Sequence, residues 1–290
     1  MKIDAIVQSI SKLKDYFFLV PDYQREYVWK PDDEVEQFLI DIENEYSPDA
    51  KEQRNYFLGS IIIANNDRCF DVVDGQQRLT TIMLSLCVFR DLLKKETLNS
   101  AQKNYLQIIE NLLYNFDIES GETRVRLELQ YEESHDYLTA LIQEQPYNGV
   151  RSPSIVRMQD AYTKILRHFQ LYAGIDELID FAKYCLTKIE LVVIESQDLS
   201  SALKIFETIN QRGAGLNAMD LVKNLLFKAT KLLDSKFYIG VNTALNRFKN
   251  DFQYNFTGWN KSSVEARQKI LLELVFDTWR INDLRLDRVK

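Results

Sequence analysis

The fold class is decided by residues 56–81, which read YFLGSIIIANNDRCFDVVDGQQRLTT. Two apolar runs, Tyr56–Ala64 and Cys69–Val73, flank the turn sequence Asn65–Asn66–Asp67, and this pattern predicts a β-hairpin. Asp74–Gly75 ends the second strand, and apolar residues at helical spacing follow it. They are Leu79, Ile82, Met83, Leu86, Phe89 and Leu93. A hairpin that leads directly into a long helix indicates an α+β fold.

The composition is that of a helix-rich globular protein. The chain has 290 residues, of which 46% are hydrophobic, and it contains only 9 Gly and 5 Pro. Few turn-forming residues imply long elements, which favours helices and argues against an all-β sandwich or a glycine-rich solenoid. The net charge is −7 at pH 7. A generic nucleic-acid binder is thereby excluded, because contacts with phosphates need a surplus of Lys and Arg.

The chain divides at about residue 95 into an α+β portion, residues 1–95, and a mostly helical portion, residues 96–290. In the first portion, the amphipathic pattern of Ile3–Leu13 predicts a short helix, and residues 31–46 predict another that begins with Pro. In the second, the alternation of Arg124–Leu129 predicts a strand, and Ile189–Glu195 predicts a buried strand. Further helices are predicted over residues 101–116, 131–142, 154–172, 175–186, 200–209 and 217–233.

Several classes of protein and site are excluded by what the sequence lacks. The apolar runs are too short for a membrane span and the N-terminus has no signal-peptide core, so we expect a cytoplasmic protein. No GxxxxGK[ST] motif is present, which excludes a P-loop enzyme. The scattered cysteines, Cys69, Cys87 and Cys185, form no CxxC pair and are expected to be core thiols. The two histidines, His135 and His168, cannot build an HNH-type nuclease centre.

The turn Asp74–Gly75–Gln76–Gln77–Arg78 is the first candidate site. Backbone N–H groups at the start of a helix favour an anion, and Gly75 allows the backbone to approach a ligand closely. Arg78 offers a bidentate fork for phosphate. Asp74 is suited to hold a metal-bound water, to orient a nucleophile or to cap the helix. The alternative is a capped helix whose polar side chains are solvated.

Two further polar segments are candidates. Residues 20–29, VPDYQREYVW, place aromatic rings beside Arg25, where they could stack on a base; alternatively, Tyr27 and Trp29 anchor a loop on the core. Residues 206–216, FETINQRGAGL, place Asn210 and Arg212 in a glycine-containing turn, for which a helix C-cap is the ordinary explanation.

Taken together, these segments resemble the N-terminal DGQQR-motif domain of GmrSD-type modification-dependent restriction systems and related phage-defence proteins. The resemblance extends from about residue 20 to about residue 225 and comprises five ordered blocks. They are PDYQRxYxW at 21–29, YFLGSI at 56–61, DGQQRLTT at 74–81, FETINxRGxxL at 206–216 and DLVKN at 220–224.

The resemblance implies a small mixed ParB/sulfiredoxin-like sheet with helices, followed by a mostly helical extension. It also implies binding and hydrolysis of a nucleoside triphosphate at the DGQQR turn, in a sensor that couples nucleotide turnover to recognition of modified DNA. In the family the nuclease lies in a C-terminal HNH-like domain or a partner subunit. This sequence ends at Lys290 without HNH histidines, so we expect the nuclease elsewhere.

From this resemblance we assign roles to the candidate residues. The expected catalytic residues are Asp74, Gln76, Gln77 and Arg78. Gln77 and Arg78 are expected to contact phosphates, with the Gly75–Gln76 backbone as the anion cradle, and Asp74 is expected to orient a water or Mg²⁺. The remaining nucleotide-binding candidates are Tyr23, Gln24, Arg25, Thr80, Asn210, Arg212 and Lys223. The choice among GTP, ATP, CTP and UTP stays open.

The alternative is a DNA-binding or scaffolding subunit with a vestigial or purely regulatory nucleotide site. Its candidate basic residues lie on or beside two predicted helices, although solvated helix faces commonly carry such residues. They are Arg151, Arg157, Lys164 and Arg167 around one helix, and Lys223, Lys228 and Lys231 on the other.

Overall fold

The computed structural model describes residues 3–22, 24–118, 121–131, 135–172 and 174–210. The strands are β1 (Ile3–Ser9), β2 (Phe18–Val20), β3 (Tyr56–Asn66), β4 (Cys69–Asp74), β5 (Tyr114–Asp117), β6 (Glu122–Val125), β7 (Leu127–Leu129) and β8 (Ile189–Ser196). The helices are α1 (Glu36–Glu45), α2 (Gln76–Leu93), α3 (Ser100–Leu113), α4 (His135–Ile142), α5 (Pro153–Phe169), α6 (Ile175–Lys188) and α7 (Leu199–Asn210). A 3₁₀ segment, Ile10–Asp15, follows β1, and a π turn, Pro31–Val35, precedes α1.

Six strands form one mixed sheet in the order β1-β8-β3-β4-β2-β7. The pairs β1–β8 and β3–β4 are antiparallel, whereas β8–β3, β4–β2 and β2–β7 are parallel. Strands β5 and β6 form a separate antiparallel pair. The α+β class, the β3–β4 hairpin and the long helix after it are confirmed.

Helix α2 lies at the centre of the main hydrophobic core. Each residue of the predicted apolar stripe is buried, but so are Leu84, Cys87 and Val88 on other sides of the helix. A helix that is buried all round lies inside a core instead of on its surface. Of the other two cysteines, Cys185 is buried and Cys69 only half-buried, so the expectation of core thiols fits two of the three.

The predicted helix at Ile3–Leu13 is wrong over most of its length. Residues Ile3–Ser9 form β1, which pairs with β8 from Ile3 opposite Ser196 to Ser9 opposite Glu190. Isoleucine and valine at positions 3, 6 and 7 match helical spacing, but β-branched residues also favour strands. Pairing with a strand nearly 190 residues away decides between the two, and local spacing does not contain that information.

Two other predicted elements contain a change of structure that the sequence pattern did not indicate. The strand predicted over Arg124–Leu129 is two strands, because β6 pairs with β5 while β7 pairs with β2 in the main sheet. Arg126 lies between them and donates from its backbone N–H to the Leu113 carbonyl. The helix predicted over residues 101–116 ends at Leu113, and β5 begins at the next residue, Tyr114.

The buried strand predicted at Ile189–Glu195 is confirmed as β8, which lies between β1 and β3. The main sheet therefore contains strands from both sides of residue 95, and the division of the chain at that residue stays a prediction. The helix predicted over residues 217–233 lies outside the described residues. Among the described helices, none combines the length and the apolar character needed to cross a membrane.

Candidate functional site

The candidate site is built around the turn between β4 and α2. Gly75 precedes the helix with φ of 87°, in the left-handed region that favours glycine. A Cβ atom at Gly75 would lie 2.6 Å from Cγ2 of Ile61 on β3. The glycine is therefore required both by the backbone conformation and by the close packing of the turn against the neighbouring strand.

Gln77 binds the N-terminal segment through both ends of its side-chain amide. Its Nε2 donates to the Glu26 carbonyl at 3.0 Å, and its Oε1 accepts from the Val28 backbone N–H at 2.8 Å. These two bonds are made to the residues on either side of Tyr27, which is the hydrogen-bonding pattern of a neighbouring parallel β-strand. The side chain is buried, with 5% of its surface exposed. Gln77 thus fixes the backbone of residues 26–28.

Two further glutamines join the same segments. Gln24 donates through Nε2 to the Val73 carbonyl at 3.0 Å, and Gln76 donates through Nε2 to the Arg25 carbonyl at 3.0 Å. Within the described chain, Oε1 of Gln76 is buried and has no hydrogen-bond partner. We call residues 24–28 together with residues 73–77 the glutamine clamp.

Tyr27 anchors the N-terminal segment on the core. Its side chain is only 1% exposed, and its hydroxyl lies 2.9 Å from Oγ1 of Thr81. The backbone N–H of Tyr27 donates to Oγ of Ser154 on α5 at 3.1 Å. Trp29 is half-buried, with its ring 6.2 Å from that of Phe38. Of the two roles considered for Tyr27 and Trp29, the structure supports that of anchoring the loop on the core.

Arg78 lies beside an irregularity in β3. The pairing of β3 with β8 shifts register between Phe57 and Gly59, and Gly59 has φ of 126°. A Cβ atom at Gly59 would lie 3.1 Å from Cζ of Arg78, and Nη1 of Arg78 donates to the Ser60 carbonyl. Arg78 as a whole residue is half-buried. It therefore contacts the β3 backbone as well as the region around Asp74.

Asp74 lies at the end of β4, where burial raises the pKa of its carboxyl group. The positive charges of Arg78 and Arg25 and the backbone N–H of Gly75 lower the pKa in opposition to burial, but burial dominates. Two arginines 53 residues apart in the sequence thus act on one carboxyl group. Arg25 is exposed, whereas Asp74 is half-buried.

The remaining candidate residues fall into two groups. Thr80 is 2% exposed within α2, and the backbone of Asn210 ends α7. Tyr23, Arg212, Lys223, Lys228 and Lys231 lie outside the described residues, as does the side chain of Asn210. The structure therefore brings together Gln24, Arg25 and residues 74–78, while the contribution predicted for residues 210–224 stays a prediction.

Three residues that the sequence did not single out take part in this arrangement. They are Thr81 and Ser154, which hold Tyr27, and Tyr131, whose hydroxyl donates to the Arg25 carbonyl at 2.9 Å. Thr81 lay inside a quoted motif, but Tyr131 is 106 residues from its partner. No local pattern marks that contact, because it depends on β7 lying beside β2.

Among the described residues, no group of three or more His, Cys, Asp or Glu side chains could hold a metal ion. Mg²⁺ bound to a triphosphate takes its ligands largely from phosphate and water and needs only one or two carboxylates. Asp74 beside the start of α2 is compatible with that arrangement.

The fold and the site define an α+β domain in which a polar N-terminal loop is clamped onto a strand–turn–helix motif. The family described as "GmrSD restriction endonuclease, N-terminal domain" matches residues 3–227, and the chain belongs to this family. The resemblance inferred from the five sequence blocks is thereby confirmed, and it connects the chain with a restriction system. The ParB/sulfiredoxin-like detail of the fold stays a prediction. A comparison with curated proteins finds no match.

Proposed function

We propose that the chain binds and hydrolyses a nucleoside triphosphate at the Asp74–Arg78 turn, as the sensing component of a modification-dependent restriction system whose nuclease lies elsewhere. The observation that carries the proposal is that Arg25 and Arg78 both lie near enough to Asp74, at the amino end of α2, for their positive charges to lower the pKa of its carboxyl group. The glutamine clamp supports it, because hydrogen bonds fix the Arg25 segment against this turn.

The amino end of α2 suits the phosphate tail. The first N–H groups of a helix lack partners within the helix and carry partial positive charge. Gly75, the residue before α2, has no side chain that could cap them. Arg25 and Arg78 add two positive charges near the same point. An anion with several negative oxygens matches this set of donors better than a neutral ligand does.

Asp74 has a role distinct from that of the arginines. Its carboxylate would orient the attacking water or bind Mg²⁺, which offsets phosphate charge when bound. The buried Gln76 and Gln77 act through the backbone of residues 25–28 in this proposal, and Gln76 retains one acceptor atom for a donor group of the ligand. Gly75 keeps the turn in the conformation that presents the helix N–H groups.

Hydrolysis of GTP, ATP, CTP and UTP by the purified chain tests the proposal directly. One contact between arginine and phosphate contributes about 1.5–3 kcal/mol, so Arg25→Ala is expected to weaken nucleotide binding about tenfold or more. Arg54→Ala is the matched control, because Arg54 is an exposed arginine in the loop before β3. Asp74→Asn is expected to abolish turnover. Undiminished hydrolysis in both Arg25→Ala and Asp74→Asn would place the reaction elsewhere in the chain.

DNA is the second partner that we propose, on the strength of the family to which the chain belongs. Of the basic residues on and just before α5, Lys164 is paired with Asp32 and Glu36 at 3.1 Å each, while Arg151, which precedes the helix, and Arg167 are exposed. Mobility shifts with modified and unmodified DNA at two salt concentrations test this part. Affinity that falls steeply with salt supports contacts with phosphates. Nucleotide turnover without any DNA shift would instead indicate an NTPase that recognises DNA only through a partner.

A further inference from the structure

Tyr131 reaches the candidate site because two short parallel strands end side by side. Strand β7 pairs with β2 through Leu129, and the backbone N–H of Gln130 continues the pairing by donating to the Val20 carbonyl at 2.9 Å. Strand β2 leads into the segment that carries Arg25. Tyr131 follows β7 directly and is 3% exposed, so its ring is packed in the core beneath that segment.

The Arg25 carbonyl receives two hydrogen bonds from separate parts of the fold. The Tyr131 hydroxyl donates to it at 2.9 Å, and Nε2 of Gln76 donates to it at 3.0 Å. A carbonyl oxygen has two lone pairs, so these two donors satisfy it completely. Both bonds are made to the backbone and leave the guanidinium available. They fix the peptide from which an exposed, charged side chain extends.

We infer that Tyr131 is a positioning residue that, together with Gln76, holds the Arg25 peptide so that the guanidinium faces the anion site at the start of α2. This inference rests on the proposed function. Arginine loses much rotamer freedom when it binds, and a fixed backbone reduces the number of orientations that the side chain must abandon.

The chemical state of Tyr131 suits this role. Burial raises the pKa of its hydroxyl well above the usual range, and the negative charge of Glu26 adds to that effect. The hydroxyl therefore stays protonated at neutral pH and remains a hydrogen-bond donor. Phenylalanine at this position keeps the ring and removes only the donor, which makes Tyr131→Phe a selective test.

The experiment measures binding of the four nucleoside triphosphates and of inorganic tripolyphosphate to Tyr131→Phe. Loss of one neutral hydrogen bond is expected to weaken binding about three- to tenfold. Tyr162→Phe is the matched control, because the Tyr162 hydroxyl donates to Asp91 at 2.6 Å near the other end of α2. We expect that control to lower the melting temperature at least as much, because its acceptor is a carboxylate, and to leave the affinity unchanged.

A double-mutant cycle with Arg25→Ala separates positioning from a general effect on the fold. Alanine keeps the backbone carbonyl and removes the guanidinium, so Tyr131→Phe should cause no further loss of affinity in the Arg25→Ala background. An equal loss in both backgrounds overturns the inference, as does an unchanged affinity in Tyr131→Phe when Arg25→Ala binds weakly. If neither the wild type nor any variant binds the probes, the proposed function fails and the inference fails with it.

Discussion

Helix α2 has polar clusters at both ends, and the two are built differently. At the carboxyl end, Arg90 is 1% exposed and donates through Nε to Asp91 at 2.8 Å. Its Nη1 and Nη2 donate to the carbonyls of Ile142 and Leu141, the last two residues of α4. At the amino end, Gln76 and Gln77 bind backbone groups of the preceding loop, while an exposed Arg25 and a half-buried Arg78 lie near Asp74.

The comparison separates a cluster that stabilises the fold from one suited to a ligand. The bonds of Arg90 are made to groups within the protein, so its charge is balanced where it lies. At the other end the hydrogen bonds fix backbone groups, and two arginines act on one carboxyl group. An 18-residue helix is about 27 Å long, so changes at its two ends should have separable effects.

Arg90→Met should have the largest effect on stability. The substitution removes the Arg90 donor from two helix-terminal carbonyls and from the partly buried Asp91, and loss of one partner from a buried pair costs about 3–5 kcal/mol. Urea denaturation measures the loss. The folded fraction should retain wild-type affinity for nucleotide, and a change in that affinity would contradict the separation of the two ends.

Gly75→Ala should have the next largest effect, at the opposite end of the helix. The positive φ and the close contact with Ile61 together predict that the free energy of unfolding falls by about 2–4 kcal/mol. Gly121→Ala is the matched control, because Gly121 has φ of 72° and no described atom within 4 Å of a Cβ built there. Its loss should be about 1 kcal/mol. If the two variants lose the same amount of stability, the close contact with Ile61 does not contribute to the destabilisation by Gly75→Ala.

Asp74→Asn should gain stability relative to the wild type as the pH rises. Burial raises the pKa of this carboxyl in the folded state, so folding favours its protonated form. Below both the folded and unfolded pKa values the wild type and the variant should be similar. As the pH rises through the folded pKa, the wild type acquires a poorly solvated charge that asparagine lacks. Denaturation at several pH values between about 3 and 8 measures the difference.

Asp198→Asn is a control for which the change of stability with pH should have the opposite sign. Asp198 accepts hydrogen bonds from the backbone N–H and the hydroxyl of Ser201, and these bonds lower its pKa. Its contribution to stability is therefore present at neutral pH and is lost as the pH falls through the folded pKa. The wild type should be more stable than Asp198→Asn at neutral pH, and the difference should vanish in acid. If both variants gain stability relative to the wild type as the pH rises, or both lose it, the raised pKa assigned to Asp74 is refuted.

Lys94→Gln should have the smallest effect, although Lys94 is close to Arg90. Its Nζ lies 2.8 Å from Glu110 and also contacts Glu144, but all three side chains are partly exposed. Such pairs contribute about 0.2–1 kcal/mol, and salt screens them. Denaturation with and without added salt measures both the loss and its salt dependence. A loss as large as that of Arg90→Met would mean that the two residues act as one buried network.

Much of the site could be predicted because its residues are close in sequence. The hairpin, the turn at Gly75 and the start of α2 follow from turn chemistry and apolar spacing within residues 56–81. The sequence indicated that Gln76 and Gln77 are important, but it suggested contacts with phosphate. The structure assigns their described bonds to the backbone of residues 25–28. A glutamine side chain offers the same donor and acceptor to either partner, so residue type alone cannot distinguish them.

The sequence by itself determined the α+β class, the strand–turn–helix motif and the family, since each depends on residue order over short distances. Only the tertiary structure decided that residues 3–9 form a strand, that α2 is buried on all sides and that Tyr131 meets Arg25. Each of these depends on contacts between segments far apart in the chain. The free energy of such contacts comes from burial and from partners that exist only after the sheet has assembled, so no local pattern contains it.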